Sequence, residues 1–180
     1  MNNIHYASIR NLDISNGEGV GVALFVQGCH FHCYNCFNTE TWDFNGGKEW
    51  TQDTEDKLIE LANKPYIKRL SILGGEPLAD ENLDGVLHLV DRFRLSFPNK
   101  SIWVYSGYRW SEIFNDGVYL TKECAGWKRR EIVKQCNILV DGKYIDSLRD
   151  PKLHWRGSSN QRVINIKKSL KERRIILWEK

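Results

Sequence analysis

The chain of 180 residues is 41% hydrophobic and 27% charged, a balance that excludes a disordered polymer and predicts one ordinary globular domain over residues 1–180. No apolar run approaches the ~20 residues of a membrane-spanning helix, and residues 1–9 lack the basic-then-apolar order of a secretory signal, so a cytoplasmic protein without membrane contact is expected. The net charge of +3 hides an asymmetry, because residues 1–120 carry 10 Lys/Arg against 16 Asp/Glu and residues 121–180 carry 16 against 7. The basic last third reads either as a surface for nucleic acid, nucleotide phosphate or an acidic protein, or as a solvated face.

Short β-branched runs alternate with helix-period segments, the pattern of a parallel sheet with crossover helices. The first predicted strand covers residues 22–26 and runs into Gln27-Gly28. A helix starts near Thr51, where hydroxyl and carboxylate groups cap free amides; it places Leu58, Leu61 and Ala62 on one face and stops before Pro65. The second strand, 70–73, enters Gly74-Gly75-Glu76-Pro77. A helix follows from about Asn82, with Leu83, Val86, Leu87 and Val90 on one face. The third strand, 102–105, runs into Ser106-Gly107-Tyr108. A helix over 122–135 then leads to a fourth strand, 137–140, ending at Asp141-Gly142. Weaker signals give a strand at 161–166, a short helix at 167–173 and a last strand or tail at 175–178.

In parallel α/β folds ligands bind beyond the carboxyl ends of the strands. Gly28-Cys29, Gly74-Gly75-Glu76-Pro77, Ser106-Gly107 and Asp141-Gly142 all stand at such ends, so the four loops should converge on one rim. That rim is the candidate active site.

Cys29, Cys33 and Cys36 lie in C-H-F-H-C-Y-N-C, three of the five cysteines, within a loop short enough to aim all three at one centre. Structural zinc would need a fourth ligand from a downstream pair, and Cys124 and Cys136 are too far apart for that. A cubane iron–sulfur cluster takes four thiolates as a rule, so three leave one iron open to bind substrate. His30 and His32 read as loop residues rather than ligands. Three buried core cysteines are a poor account of a segment that also holds Gly28, His30, His32 and Asn35. Cys124 and Cys136 read as buried, inert thiols.

The C-x₃-C-x₂-C spacing after the first strand, together with Gly74-Gly75-Glu76-Pro77 after the second, resembles the radical S-adenosylmethionine superfamily. That resemblance implies an α/β fold of partial, open parallel (β/α) barrel type. It departs at Asn35, where the superfamily usually has an aromatic residue; here the ring, Phe37, follows the third cysteine. Cys36-Phe37-Asn38 is more similar to the smallest members, the activating proteins of anaerobic ribonucleoside-triphosphate reductase. Asn16-Gly17-Glu18-Gly19, the W-V-x-[ST]-G-Y segment at 103–108, L-V-D-G at 139–142 and W-R-G-S-S-N-Q at 155–161 carry the same likeness across nearly the whole chain.

The resemblance implies a [4Fe-4S] cluster on Cys29, Cys33 and Cys36 whose open iron binds S-adenosylmethionine. Reductive cleavage then gives a 5′-deoxyadenosyl radical that takes hydrogen from a glycine of the partner reductase. An electron donor such as a flavodoxin-like protein is implied as well. Cofactor contacts are expected from Asn35, Cys36, Phe37 and Gly75, with Glu76 accepting from the methionine ammonium and Ser106 reaching the ribose or carboxylate. For Glu76, Ser106 and Asp141 the competing readings are a helix-entry carboxylate, a turn serine and an ordinary D-G turn. The stretch 156–161 is expected to be an exposed loop in contact with cofactor or partner. Seven tryptophans read as core for the most part, with some left for a partner surface. Other functions fit parts of the pattern: activation of a different glycyl radical enzyme, a small-molecule enzyme resembling 7-carboxy-7-deazaguanine synthase, or a metal-binding nucleic-acid module.

Overall fold

The computed structural model describes residues 4–114, 121, 122 and 124–178. Gly21–Val26 (β2) is buried at every position, as a strand covered on both faces must be. It pairs in parallel with Arg69–Gly74 (β4), which pairs in parallel with Ser101–Ser106 (β5), and that strand with Ile138–Asp141 (β6). These are the four strands that the apolar runs predict, each shifted by no more than a residue or so at its ends.

The sheet is not parallel throughout. His5–Asp13 (β1) lies antiparallel beside β2, the short Lys48–Glu49 (β3) antiparallel beside β1, and Arg162–Asn165 (β7) antiparallel beside β6. The order is β3-β1-β2-β4-β5-β6-β7, so the α/β fold with an open, mostly parallel sheet expected from the sequence is present, with antiparallel strands added at both edges of its parallel centre. The first strand escapes the sequence reading because H-Y-A-S-I-R-N-L-D lacks a regular apolar alternation and is half-buried to exposed along most of its length.

The helices Gln52–Ala62 (α1), Leu83–Ser96 (α2) and Ala125–Gln135 (α4) cover one face of the sheet. Leu58, Val86, Leu89, Val90, Phe93, Ile132 and Val133 form one core with Val22, Leu24, Leu70, Ile72, Ile102 and Val104. Thr51 caps α1, its hydroxyl accepting from the Thr54 amide at 3.2 Å. The predicted start of α4 at 122 is early by about one turn; Cys124 takes the cap position, its sulfur accepting from the Trp127 amide, and residue 123 lies outside the described set. A single turn, Trp110–Ile113 (α3), follows β5, and Ile166–Glu172 (α5) follows β7 directly. The stretch 175–178 adds a bridge from Leu177 to Ile164. Among the described residues no helix is long and apolar enough to cross a membrane.

The opposite face of the sheet alternates with the first, as strand geometry requires: Ala23 and Phe25, Ser71 and Leu73, Trp103 and Tyr105, Ile138 and Val140. It is covered by loops instead of helices. At its foot the buried Arg69 pairs with Asp13 at 2.7 Å and donates to Ser71 Oγ at 2.6 Å. Burial alone would raise the Asp13 pKa, but Arg69 and Asn16 hold it below the ordinary carboxylate range.

Candidate functional site

β2 delivers the chain to Gly28, whose φ of +90° belongs to the left-handed side that favours glycine. A Cβ there would lie 2.0 Å from the Phe44 ring. From this point the cysteine loop leaves the sheet and returns to its own start: Gly28 N–H donates to Thr41 O at 2.8 Å and Cys29 N–H to Trp42 O at 3.0 Å. Inside this clasp the chain bends through left-handed residues at His32 and Asn35. Cys36 N–H donates to Cys33 O, and the Asn38 amide donates to Cys36 Sγ at 3.4 Å. His32 stacks on Trp42, and His30 bonds Glu81 at 2.9 Å, so both histidines serve the loop, as expected.

All three thiols line one cavity of about 650 Å³ together with Gly74, Gly75, Glu76, Ser106 and Gly107. Gly142 of the fourth loop lines it as well, so the four strand-end loops converge on one rim. Burial raises the pKa values of Cys29 and Cys33; the Glu76 carboxylate and Cys33 push Cys29 further in the same direction, as Cys36 does Cys33. A cationic centre would relieve this repulsion.

Gly75 lines the cavity, but its bond vector points elsewhere. A Cβ would lie 2.4 Å from Gly28 O and 2.8 Å from Thr41 O, so glycine at 75 lets the β4 loop rest on the base of the cysteine clasp. Glu76 N–H donates to Gly28 O at 2.7 Å and ties the two further. The buried Glu76 carboxylate accepts from the Leu78 amide and Ser106 Oγ on one oxygen, both at 2.8 Å, and from Gly107 N–H on the other at 2.7 Å. Desolvation outweighs these donors and pushes its pKa up to about 7. Its second oxygen, with a single donor, keeps capacity for another. Ser106 is engaged on both sides, since its hydroxyl also accepts from Tyr108 N–H at 3.0 Å.

Asn35 reaches across the mouth to Asp146 at 3.2 Å. Phe37, 57% exposed, packs its ring against Tyr144 and under Arg149. Asp141 is buried and orders the rim from below: it accepts from Trp110 N–H at 2.8 Å and pairs with Arg162 at 2.5 Å. The segment 155–161 is more structured than an exposed loop. Ser158 is buried, and Gln161 accepts from the Gly157 and Ser158 amides while donating to Gly142 O. Its Trp155, Arg156 and Gly157 form a cavity wall.

Several lining residues escape the sequence reading, among them Arg10, Trp42, Tyr105, Lys143 and Arg149. For Tyr105 a signal was present, since two-residue alternation from Trp103 places it on the same face. The loop residues carried none. Cys124 and Cys136 lie apart from the cavity; Cys136 is buried, bonds Ile132 O, and burial pushes its thiol up to about 12.

Among the described residues no three His, Cys, Asp or Glu side chains stand ready-made around one ion. Three soft thiols on a single loop that line one cavity, with a peptide amide directed at one sulfur, are of a type that suits an iron–sulfur cluster. Residues 15–164 match the family described as 4Fe-4S single cluster domain. The chain is 39% identical over 166 residues to the anaerobic ribonucleoside-triphosphate reductase-activating protein of Escherichia coli (strain K12), covering 91% of this chain and all of that one. It is 37% identical to the protein so named in Vibrio cholerae and 36% to that of Enterobacteria phage T4, over 88% and 89% of this chain and 96% and 93% of theirs. The matched family is one with a single iron–sulfur cluster, and the chain belongs to the anaerobic ribonucleoside-triphosphate reductase-activating proteins.

Proposed function

We propose that this chain activates an anaerobic ribonucleoside-triphosphate reductase in the cytoplasm, as a radical S-adenosylmethionine enzyme that installs a glycyl radical on that partner. The observation that carries the reading is the clasped loop of Cys29, Cys33 and Cys36 facing the Gly74-Gly75-Glu76 strand end across one cavity. With a bound [4Fe-4S] cluster and S-adenosylmethionine, the site would supply one-electron cleavage of the sulfonium, the electron coming from a flavodoxin-like donor.

The chain's own residues set the conditions for that chemistry. Cys29, Cys33 and Cys36 bind as thiolates, so loading releases protons that burial otherwise holds on Cys29 and Cys33. Main chain at Asn35, Cys36, Phe37 and Gly75 borders the cofactor. Glu76 offers the free acceptor capacity of its second oxygen to the methionine ammonium. Ser106 acts by holding that carboxylate in place rather than by a contact of its own. Segment 155–161 and the 143–149 turn wall the cavity.

Anaerobic reconstitution with iron and sulfide tests the reading. The cluster's electron paramagnetic resonance spectrum is expected to change on addition of S-adenosylmethionine, and a glycyl doublet to form on added reductase after reduction. A partner that stays radical-free while a small molecule accelerates 5′-deoxyadenosine release would replace this function with that of a small-molecule enzyme. Salt-dependent nucleic-acid binding without any cleavage would favour the nucleic-acid module.

A further inference from the structure

Behind the rim a single cation joins two of the segments that form it. Arg129 of α4 is 16% exposed along its side chain, and the hydrogen bonds and ion pair of its guanidinium all fall on the segments that leave β4 and β5. Nε donates to Leu78 O at 2.8 Å. Nη2 pairs with the Asp80 carboxylate and donates to Tyr108 Oη at 3.1 Å, and the guanidinium lies over the Tyr108 ring, 4.4 Å from its centre. Lys128, the residue before it, pairs instead with Asp84 of α2.

Both segments end on Glu76. Leu78 gives its N–H to one oxygen of that carboxylate at 2.8 Å and its C=O to Arg129. From β5, Ser106 Oγ reaches the same oxygen at 2.8 Å and Gly107 N–H the other at 2.7 Å, while Tyr108 N–H closes the turn onto Ser106 Oγ at 3.0 Å. Each of these three donors therefore belongs to a partner of Arg129 or lies within two residues of one. The main chain of Glu76 is fixed separately, its N–H on Gly28 O and its C=O accepting from Asn82 Nδ2 at 2.9 Å. What depends on Arg129 is the carboxylate end. A planar guanidinium holds several partners in fixed directions, so it sets the separation of the two segments.

We propose that Arg129 is a positioning residue for the cofactor: from α4 it holds together the two strand-end segments whose donors aim the Glu76 carboxylate into the cavity. The proposal rests on the function given above, in which Glu76 accepts from the methionine ammonium, and adds the residue that keeps its donors in place. Arg129 is not among the residues that line the cavity and acts through Glu76 alone. Without it the segments part, the carboxylate loses its fixed direction, and the cofactor binds less tightly.

The test uses the full chain, reconstituted anaerobically with iron and sulfide, and reads the Kd of S-adenosylmethionine by equilibrium dialysis without reductase or reductant. Arg129→Gln should raise that Kd about tenfold, the worth of one hydrogen bond to a charged group, with iron content within about twofold of the parent's. Arg129→Lys should recover part of the loss, since a point charge can meet Leu78 O and Asp80 but not the Tyr108 ring and hydroxyl as well. Lys128→Met also detaches α4 from its neighbour and should lower the melting midpoint, yet leave the Kd within about twofold. Glu76→Gln should raise the Kd by itself, and adding Arg129→Gln to it should change the value by less than about twofold more, because nothing is left to position. Equal weakening by Lys128→Met would reduce Arg129 to a fastener of α4 and overturn the proposal. So would an unchanged Kd in Arg129→Gln or in Glu76→Gln, effects of the two substitutions that multiply, or iron lost from folded Arg129→Gln. If Arg129→Gln does not fold, Arg129→Lys with and without Glu76→Gln reads the same coupling and decides in the same way. A parent protein that binds no S-adenosylmethionine defeats the underlying function before any variant is compared, and the proposal with it.

Discussion

Cysteine environment separates the thiols proposed to hold a cluster from those that serve the fold. Cys29, Cys33 and Cys36 are partly exposed to one cavity, whereas Cys136 is fully buried and Cys124 caps α4. Replacing any of the first three with Ala should abolish stable iron binding on reconstitution. Cys124→Ser and Cys136→Ala should keep the parent's iron content at a stability cost of about 1 kcal/mol each. Iron analysis of folded variants decides it, and iron lost only from the second group would mean the ligands are misassigned. Gly75 teaches a different lesson. From sequence its need for glycine reads as room for a cofactor; the geometry adds that a side chain would strike the carbonyls of Gly28 and Thr41. Gly75→Ala should therefore displace the cysteine loop and lower iron retention as well as cofactor cleavage. Full iron loading with impaired cleavage alone would favour the original reason.

At the scale of elements, the connection between β1 and β2 is pinned by one buried ion pair. Arg69 lies within the sheet and Asp13 at the end of β1, and neither is open to water. Because folding depresses the Asp13 pKa, the group contributes stability above about pH 4 that is lost as pH falls through its folded value. Asp13→Asn leaves Arg69 buried and unpaired, which should cost about 3–5 kcal/mol at neutral pH. Urea unfolding followed toward acid should show the two proteins converging, since a protonated Asp13 resembles the amide. A gap that stays constant down to about pH 2.5 would remove the ion pair from the account. The pair also shows what a single sequence conveals: the four parallel strands and their helices were legible because each repeats an apolar period, and the strand-end loops followed from them. β1 was not legible, for its polar residues answer to partners such as Arg69 that lie 56 positions away. Likewise the internal bonding of segment 155–161 depends on Gln161 reaching Gly142, a contact that no local pattern announces.

For the molecule as a whole, a small part of the charge asymmetry resolves into contacts between its two parts. Lys128 of α4 pairs with Asp84 of α2 and Arg129 with Asp80, while Arg162 and Asp141 pair within the last third itself. The basic last third thus serves in part to fasten α4 to the acidic side of α2. Lys143, Arg149 and Arg156 instead line the cavity, where they face whatever enters it. Helices on one side and loops on the other divide the labour between a rigid back and a wall built from connecting segments, and most of the tryptophans join this interior, Trp155 and Trp178 packing edge-on against Trp103.

The clasp at the foot of the cysteine loop deserves a reading in terms of manufacture. Its two rungs, from Gly28 to Thr41 and from Cys29 to Trp42, are peptide bonds to peptide bonds and owe nothing to sulfur. The two ends of the loop are therefore fastened by main chain alone. The fastening works like the drawstring of a purse: it fixes where the loop opens and closes, and leaves the placement of the three sulfurs to the turns between.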